Sequence, residues 1–246
     1  MPQPSVLKQL GPRPSYLDEA WHSHSGRLLR EVIYGATDGV VTSLGFVMGV
    51  YGAIHESRII LITGVASATA GSLSMGFSAY ISSKSQSEFF LAEIERERRE
   101  MQEMPDKEKD EVRKIYRAKG FEGQDLEMVV RTITKNPAVW LRCMMEEELG
   151  LIVESFDIPW LVGLITAGSY ILSAFVPIAP YALFPPARAF GWSVGSSIAI
   201  LLGLGIGKTR LTRTKPMKSG LELTMIGIIC AFIGYVIGRM TGSLSP

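Results

Sequence analysis

Five long apolar stretches constrain this chain more than any other feature of its sequence. A transmembrane α-helix needs about 20 mainly apolar residues, a length that soluble helices rarely reach without charges. The stretches that qualify cover about residues 32–54, 59–81, 158–179, 190–206 and 221–240. The polar remainder of the chain is too small to coat five buried helices of a soluble protein. The sequence therefore predicts an all-α membrane protein with five transmembrane helices.

Charged residues are concentrated between the second and third stretches, where residues 84–148 are crowded with Glu, Lys and Arg. This region is rich in helix formers and is broken at Pro105, around Gly120 and Gly123, and before Pro137. It predicts a helical insertion with helices at about 84–104, 106–118, 126–134 and 138–148. The expected organisation is an N-terminal segment (1–25), two spans (26–83), the insertion (84–152) and three spans (153–246).

Basic residues in the loops predict the orientation of the chain. Cytoplasmic loops near the ends of spans are enriched in Lys and Arg. Four basic residues precede the first span and five separate the fourth span from the fifth, whereas the other two short loops carry one each, Arg58 and Arg188. We therefore expect the N-terminus and the insertion to be cytoplasmic and the C-terminus to lie on the opposite side.

Composition and motifs disfavour several functions. The net charge of +1 provides no general basis for nucleic-acid binding. The histidines, His22, His24 and His55, all lie outside the insertion, so the Glu-x-x-His motifs of di-iron bundles are missing there. The sequence contains no phosphate-binding loop or nucleotide motif. The prediction is a protein that is not an enzyme, does not use ATP and holds no resident cofactor.

Asp38 is the most informative residue of the first span, because it lies about two helical turns inside the apolar stretch. A carboxylate there costs about 2.5–3.5 kcal/mol and usually marks a functional site, the alternative being a structural pair with a polar neighbour. Glu31 lies two turns earlier on the same face, where it could instead be a snorkelling interfacial residue. Met75 in the second span offers a soft thioether ligand, or simply packs. Together these residues predict a cation pathway.

The insertion contains glutamate pairs and methionines at helical spacing. Each pair is three residues apart and shares a helix face, and a hairpin at Pro105 would bring the two pairs together. Mixed carboxylate and thioether donors suit borderline divalent ions. The alternative is a solvated, charged helix, because this segment is Glu-rich throughout. The candidate metal ligands are Glu97, Glu100, Glu108, Glu111, Met144, Met145 and Glu148.

Three motifs, in order along the chain, resemble those of the vacuolar iron transporter family. Residues 34–39, Tyr-Gly-Ala-Thr-Asp-Gly, resemble its first-span signature G-x-x-D-G. Residues 70–76, Ala-Gly-Ser-Leu-Ser-Met-Gly, look like its A-G-x-x-S-M segment. Residues 136–151 are similar to its N-P…W…M-M-x-x-E-L-G-L block.

The resemblance implies a five-span dimer that exports Fe(II) from the cytoplasm into a vacuole or out of a cell, in exchange for protons. The family's pathway residues correspond to Asp38, Met75 and the entrance acid Glu31, which would lie at the subunit interface. Its cytoplasmic metal ligands correspond to the four glutamates and two methionines named above, together with Glu148. Better-known members carry acids where this chain has Arg27, Ser67 and Ala79, which leaves fewer intramembrane carboxylates for proton exchange.

The interpretation is thus a divalent-metal transporter, with Fe(II) first and Mn(II) second, and with Zn(II) and Co(II) as further possible cargo. Its expected partners are the metal ion, protons, the lipid bilayer and a second copy of the chain. One alternative is a manganese-selective transporter, since oxygen ligands suit manganese well. Another is a membrane-anchored metal buffer that transports nothing, and a third is a scaffold without metal.

Overall fold

The chain folds into helices throughout the residues that the structure, a computed structural model, describes: 24–151, 158–212 and 215–243. No β-strand occurs in these ranges. The helices are α1 (His24–Ala53), α2 (Ser57–Glu103), α3 (Pro105–Ala118), α4 (Gly123–Thr134), α5 (Pro137–Cys143), α6 (Pro159–Ile178), α7 (Pro180–Leu183), α8 (Pro186–Thr212) and α9 (Pro216–Gly242). A π-helical turn, Met144–Glu148, follows α5 directly. Residues 1–23 of the predicted N-terminal segment (1–25) lie outside the described residues.

Five of these helices are long and apolar enough to cross a membrane, which confirms the predicted number of spans. The qualifying segments are Leu28–Ala53, Ser57–Glu103, Pro159–Ile178, Pro186–Thr209 and Pro216–Gly242. The fourth is longer than its predicted apolar stretch, because α8 begins at Pro186 and extends beyond residue 206. An all-α membrane protein with five spans is therefore the fold of this chain.

Proline marks the start of most of these helices. It lacks a backbone N–H and has a φ suited to the first helical turn, where that N–H would have no intrahelical partner. In the insertion, Pro105 begins α3 and Pro137 begins α5, at the two breaks that the sequence indicated. Gly120, with a φ of 95°, lies in the turn before α4, and Gly123, with a φ of 53°, is the first residue of α4. The helix predicted over 126–134 accordingly begins three residues earlier.

The predicted helix over 138–148 is regular only as far as Cys143. From Met144 onward the chain forms the π-helical turn, in which the Leu149 N–H donates to the Met144 carbonyl five residues earlier. This wider turn was not expected, since helix propensity does not distinguish it from an α-helix. Turns of this kind are rare and are frequently found at functional sites.

The described residues form two compact units. The membrane unit contains residues 24–81, 159–212 and 215–243, and the insertion unit contains residues 82–151 and Ile158.

In the membrane unit, α1 packs mainly against α6 and α9. Glycines allow this close approach: a Cβ on Gly39 would overlap the Ser173 hydroxyl and the Tyr170 carbonyl, and one on Gly238 would overlap the Gly49 carbonyl. In lipid, the hydrophobic effect does not drive helices to associate, and helix packing depends instead on the close van der Waals contact that small residues allow. The helix that carries Asp38 is thereby held on two sides by backbone contact.

The insertion unit has two apolar clusters. One contains Val112, Leu126, Val130, Trp140 and Met144, and the other contains Ile94, Leu141 and Met145. Met101 of α2 packs against both clusters. Ion pairs join neighbouring elements at the surface, for example Arg113 of α3 with Glu127 of α4 at 2.7 Å. The stability of this unit therefore comes chiefly from the burial of apolar side chains, because exposed ion pairs contribute little to the free energy of unfolding.

We expect Gly39→Ala to destabilise the protein by about 1–3 kcal/mol, because the new methyl group must displace backbone atoms of α6. Gly195→Ala in α8 is the matched control, since a Cβ there meets no atom within 4 Å. The measurement is the thermal unfolding midpoint of each variant in detergent. Equal midpoints for the two variants would contradict close packing at the α1–α6 crossing.

Candidate functional site

Three glutamates converge in the insertion unit. Glu97 comes from α2, Glu108 from α3 and Glu148 from the π-helical turn, and one carboxylate oxygen of each lies within 4.8 Å of the others. The break between Met104 and Pro105 returns the chain so that Glu108 lies beside Glu97. We call these three residues the carboxylate cluster. Oxygen atoms at this spacing are suited to a shared divalent cation.

The cluster buries two carboxylates and brings together more negative charge than its neighbours compensate. Glu97 is 1% exposed and Glu108 is fully buried, whereas Glu148 is exposed. Within the described part of the chain, Glu97 Oε1 and both oxygens of Glu108 lack a hydrogen-bond donor. Lys107 is a nearby cation, but its Nζ lies 3.9 Å from Glu108 Oε1 and also pairs with Glu111 at 3.5 Å. Buried carboxylates of this kind require a bound cation or a proton.

Proton binding is correspondingly favoured in the metal-free cluster. Burial, the hydrogen bond to Glu108 that a proton on one of the two carboxyls makes possible, and the negative charges nearby raise the pKa of Glu97 to about 8. Burial also raises the pKa of Glu108 and that of Glu148, with further contributions from neighbouring carboxylates. A divalent cation would displace these protons, since carboxylates ligate metals only when ionised.

Glu100 and Glu111, the other two predicted glutamate ligands, lie beside the cluster rather than within it. Glu100 pairs with Arg96 at 3.5 Å, and Glu111 pairs with Lys107. Their charges nevertheless contribute to the raised pKa of Glu148. The structure therefore brings three of the five predicted glutamates together and leaves these two as charged neighbours.

Met144 and Met145 are both buried in apolar clusters. Met144 packs in the cluster that contains Val112 and Trp140, and Met145 packs with Ile94 and Leu141. These contacts give each methionine a packing role, and ligation by their sulfur atoms stays a prediction. The π-helical turn that begins with these methionines ends at Glu148 and so supplies the third carboxylate.

The predicted pathway residues lie in the membrane unit. Asp38 is half-buried on α1, and the Thr42 hydroxyl donates to its Oδ1 at 3.4 Å. Glu31 accepts a hydrogen bond from the Thr166 hydroxyl of α6 at 3.3 Å and pairs with Arg30. Thr42 is neutral, so this contact leaves the charge of Asp38 uncompensated. Met75 is half-buried on α2 and packs against the apolar core of this unit.

Sequence reasoning missed the polar face of α6. Tyr170 is 2% exposed, a Cβ on Gly39 would overlap its carbonyl, and a Cβ on Gly71 would overlap its hydroxyl. Tyr170 thereby connects the Asp38 region of α1 with the A-G-x-x-S-M segment of α2. A signal was present: the polar residues of the third span, Thr166, Ser169, Tyr170 and Ser173, recur at helical spacing.

Five spans, an acidic residue within the first of them and a buried carboxylate cluster define a multi-pass membrane protein with the donor groups to bind a divalent cation. The VIT family matches residues 29–239 of the chain. The vacuolar iron transporter of Centaurea cyanus is 36% identical over 219 residues, 89% of each chain. Vacuolar iron transporter 1 of Arabidopsis thaliana is 32% identical over 89% of this chain and 88% of its own length. A vacuolar iron transporter of Plasmodium falciparum is 32% identical over 85% of this chain and 81% of its own length.

The chain belongs to the VIT family. This membership confirms the family that the three motifs indicated. The family and its named members are transporters, so the prediction that the chain is not an enzyme is also confirmed.

We expect Glu97→Gln to stabilise the metal-free protein at alkaline pH. Between the ordinary glutamate pKa of 4.5 and the value of about 8 in the folded protein, only the unfolded chain has released its proton. The folded wild type therefore loses stability as pH rises through this interval. The amide cannot ionise, so chelator-treated Glu97→Gln should unfold at a higher temperature than wild type at about pH 8.5 and show little difference near about pH 5.

Added Co(II) should give wild type a higher unfolding temperature than Glu97→Gln, because a bound ion stabilises the folded protein and only wild type keeps the full carboxylate cluster. Glu103→Gln, an exposed change on the same helix, is the matched control and should leave both behaviours unaltered. The same unfolding difference at both pH values would refute the raised pKa of Glu97.

Proposed function

We propose that the chain transports Fe(II), with Mn(II) as a second cargo, out of the cytoplasm in exchange for protons. The observation that carries this proposal is the cluster of Glu97, Glu108 and Glu148, whose buried oxygens lack compensating donors. Membership of the VIT family and the names of its iron-transporting relatives support the same function. The insertion and the N-terminus are cytoplasmic in this proposal, as the basic loops indicate, and the opposite compartment is a vacuole or the exterior.

The first step is capture of the metal by the insertion unit. Fe(II) exchanges part of its water shell for the oxygens of the carboxylate cluster, and the proton held by Glu97 is released. Glu100 and Glu111 add negative potential around the cluster and attract the cation. Met144 and Met145 supply thioethers to the same ion if their side chains turn from the apolar clusters toward it.

The second step is passage through the membrane unit. Glu31, Asp38 and Met75 act as successive ligands, and the threonine hydroxyls on Glu31 and Asp38 orient the two carboxylates. Protons arriving from the opposite, more acidic side lower the affinity of the carboxylates for metal and release it. Asp38, the acid that lies inside the apolar stretch of the first span, bears most of the exchange within the membrane.

A dimer would complete this pathway. Asp38 and Met75 are both partly exposed on helices that cross the membrane. A carboxylate facing lipid is costly, so a second copy of the chain covering this surface would enclose the ion between the two subunits.

A membrane-anchored metal buffer is the second candidate function. One observation favours it: the carboxylate cluster is made entirely of residues from the insertion unit. Such a protein would bind metal without needing Asp38, so transport measurements on variants of this residue distinguish the two functions.

We expect Asp38→Asn to reduce Fe(II) flux into proteoliposomes by at least about tenfold, since the pathway loses its charged ligand within the membrane. Flux is measured for Fe(II), Mn(II), Co(II) and Zn(II), with and without a pH gradient. Metal binding to the detergent-solubilised variant should match wild type, because the carboxylate cluster is intact. Undiminished flux in this variant would end the pathway assignment, and absence of flux in wild type would favour the buffer.

We expect Met75→Leu to change selectivity rather than abolish transport. Leucine conserves the volume of methionine but lacks the soft sulfur that favours Fe(II) over Mn(II). Competition uptake with both ions should therefore show a lower ratio of Fe(II) to Mn(II) flux than in wild type. Met48→Leu, a buried change in the first span, is the control. If the two variants keep the wild-type ratio, Met75 is a packing residue.

A further inference from the structure

Arg188 is a cation without a counter-charge in the membrane unit. It lies in the first turn of α8, is exposed and forms no ion pair with a described residue. The sequence contains no acidic residue between Asp157 and Glu222, so neither α8 nor the connection before it supplies a partner. The first turn of α8 also lacks an acid that would offset the positive end of the helix dipole. An anion from outside the chain is therefore attracted to this position.

An exposed aromatic pair adjoins this cation. The ring of Phe184, directly after α7, stacks on that of Trp192, with ring centroids 6.1 Å apart and an interplanar angle of 14°. Trp192 follows Arg188 by one helical turn, so the two side chains share a face of α8. Trp192 is 62% exposed, and Leu183 beside Phe184 is 75% exposed. The cation thus lies next to an apolar surface that the described residues leave uncovered.

This surface lies at the boundary of the membrane. Residues Pro186–Thr209 qualify as a span, so Arg188 and Trp192 belong to the first two turns of a transmembrane helix. Tryptophan is enriched at this depth, because its ring is apolar while its indole N–H needs a polar partner. An arginine at the end of a span likewise extends its guanidinium toward the headgroups. The anionic group that the bilayer itself supplies at this level is the phosphate of a phospholipid.

We propose that Arg188 and Trp192 bind the phosphate of an anionic phospholipid at the membrane face where α8 begins. The guanidinium pairs with the phosphate oxygens and the indole N–H donates to the headgroup, while an acyl chain packs against Leu183 and Phe184. Arginine–phosphate pairs are among the stronger hydrogen-bonding interactions. A zwitterionic phospholipid binds less well, because its own ammonium group competes with Arg188 for the phosphate. The site is separate from the metal ligands and independent of whether the chain transports iron.

The test measures which lipid contacts Trp192 when the full-length protein is held in phosphatidylcholine nanodiscs. A minor fraction of the lipid has brominated acyl chains, which quench tryptophan fluorescence on contact, and is either phosphatidylglycerol or phosphatidylcholine. The chain has four tryptophans, so the Trp192 signal is the difference between wild type and Trp192→Phe, which keeps an aromatic ring beside Phe184. Glycerol phosphate in the buffer supplies the headgroup chemistry without acyl chains.

We expect brominated phosphatidylglycerol to quench Trp192 at a lower lipid fraction than brominated phosphatidylcholine does. Arg188→Gln should lower this preference about fivefold, since one cation at the membrane surface is lost. Arg58→Gln is the matched control and should keep the preference, because Arg58 is an exposed cation at the start of α2, on the same membrane face. Glycerol phosphate should leave the quenching unchanged.

Equal quenching by the two brominated lipids in wild type overturns the proposal. So does an Arg188→Gln variant that enters nanodiscs like wild type and keeps the full preference. Loss of the preference when glycerol phosphate is added would reveal a site for soluble anions, which also overturns it. The wild-type comparison of the two lipids decides the matter even if a variant does not fold.

Discussion

Buried negative charge that the surrounding side chains only partly compensate is the constraint on which the chemistry of this protein depends. Glu97 and Glu108 lie almost fully out of contact with water, and no donor from the described chain reaches most of their oxygens. Asp38 repeats the problem in a span, with a neutral hydroxyl beside it. Each arrangement is unfavourable until a cation or a proton arrives, so binding at these positions is driven by removal of an existing penalty. This also makes protons natural competitors of the metal.

The two units meet this constraint by different means. The insertion unit buries two of its three clustered carboxylates, and this burial, together with the neighbouring carboxylates, raises the pKa of Glu97. The membrane unit relies on close backbone packing, with glycines of α1 set against α6 and α9. Rigid placement of α1 matters because a small displacement of the Asp38 carboxylate, even by a fraction of a hydrogen-bond length, would lower its affinity for a metal ion. In each unit, packing residues determine the properties of a few polar ones.

Most of the fold could be predicted from the sequence, because helix length and helix breaks depend on residues that are close together in the chain. Uninterrupted apolar length specified the five spans, and Pro105 and Pro137 specified breaks within the insertion. The choice of three glutamates among five could not be predicted, because helical spacing shows only that Glu97 and Glu100 share a face. Which of them turns inward depends on contacts with α3 and the segment before Glu148, far away in sequence. Tyr170 was overlooked for a related reason, since its importance arises from neighbours on two other helices.

The π-helical turn that ends at Glu148 has a consequence for how this protein tolerates changes in length. Successive residues of an α-helix are rotated by about 100° around its axis. If the π-helical turn lost one residue, the segment would become α-helical, and the Glu148 side chain would point in a different direction. Residue count, rather than the identity of any side chain, thus sets the direction of the third carboxylate. A single-codon deletion between Met144 and Glu147 would disable the cluster while leaving all three acids in the chain.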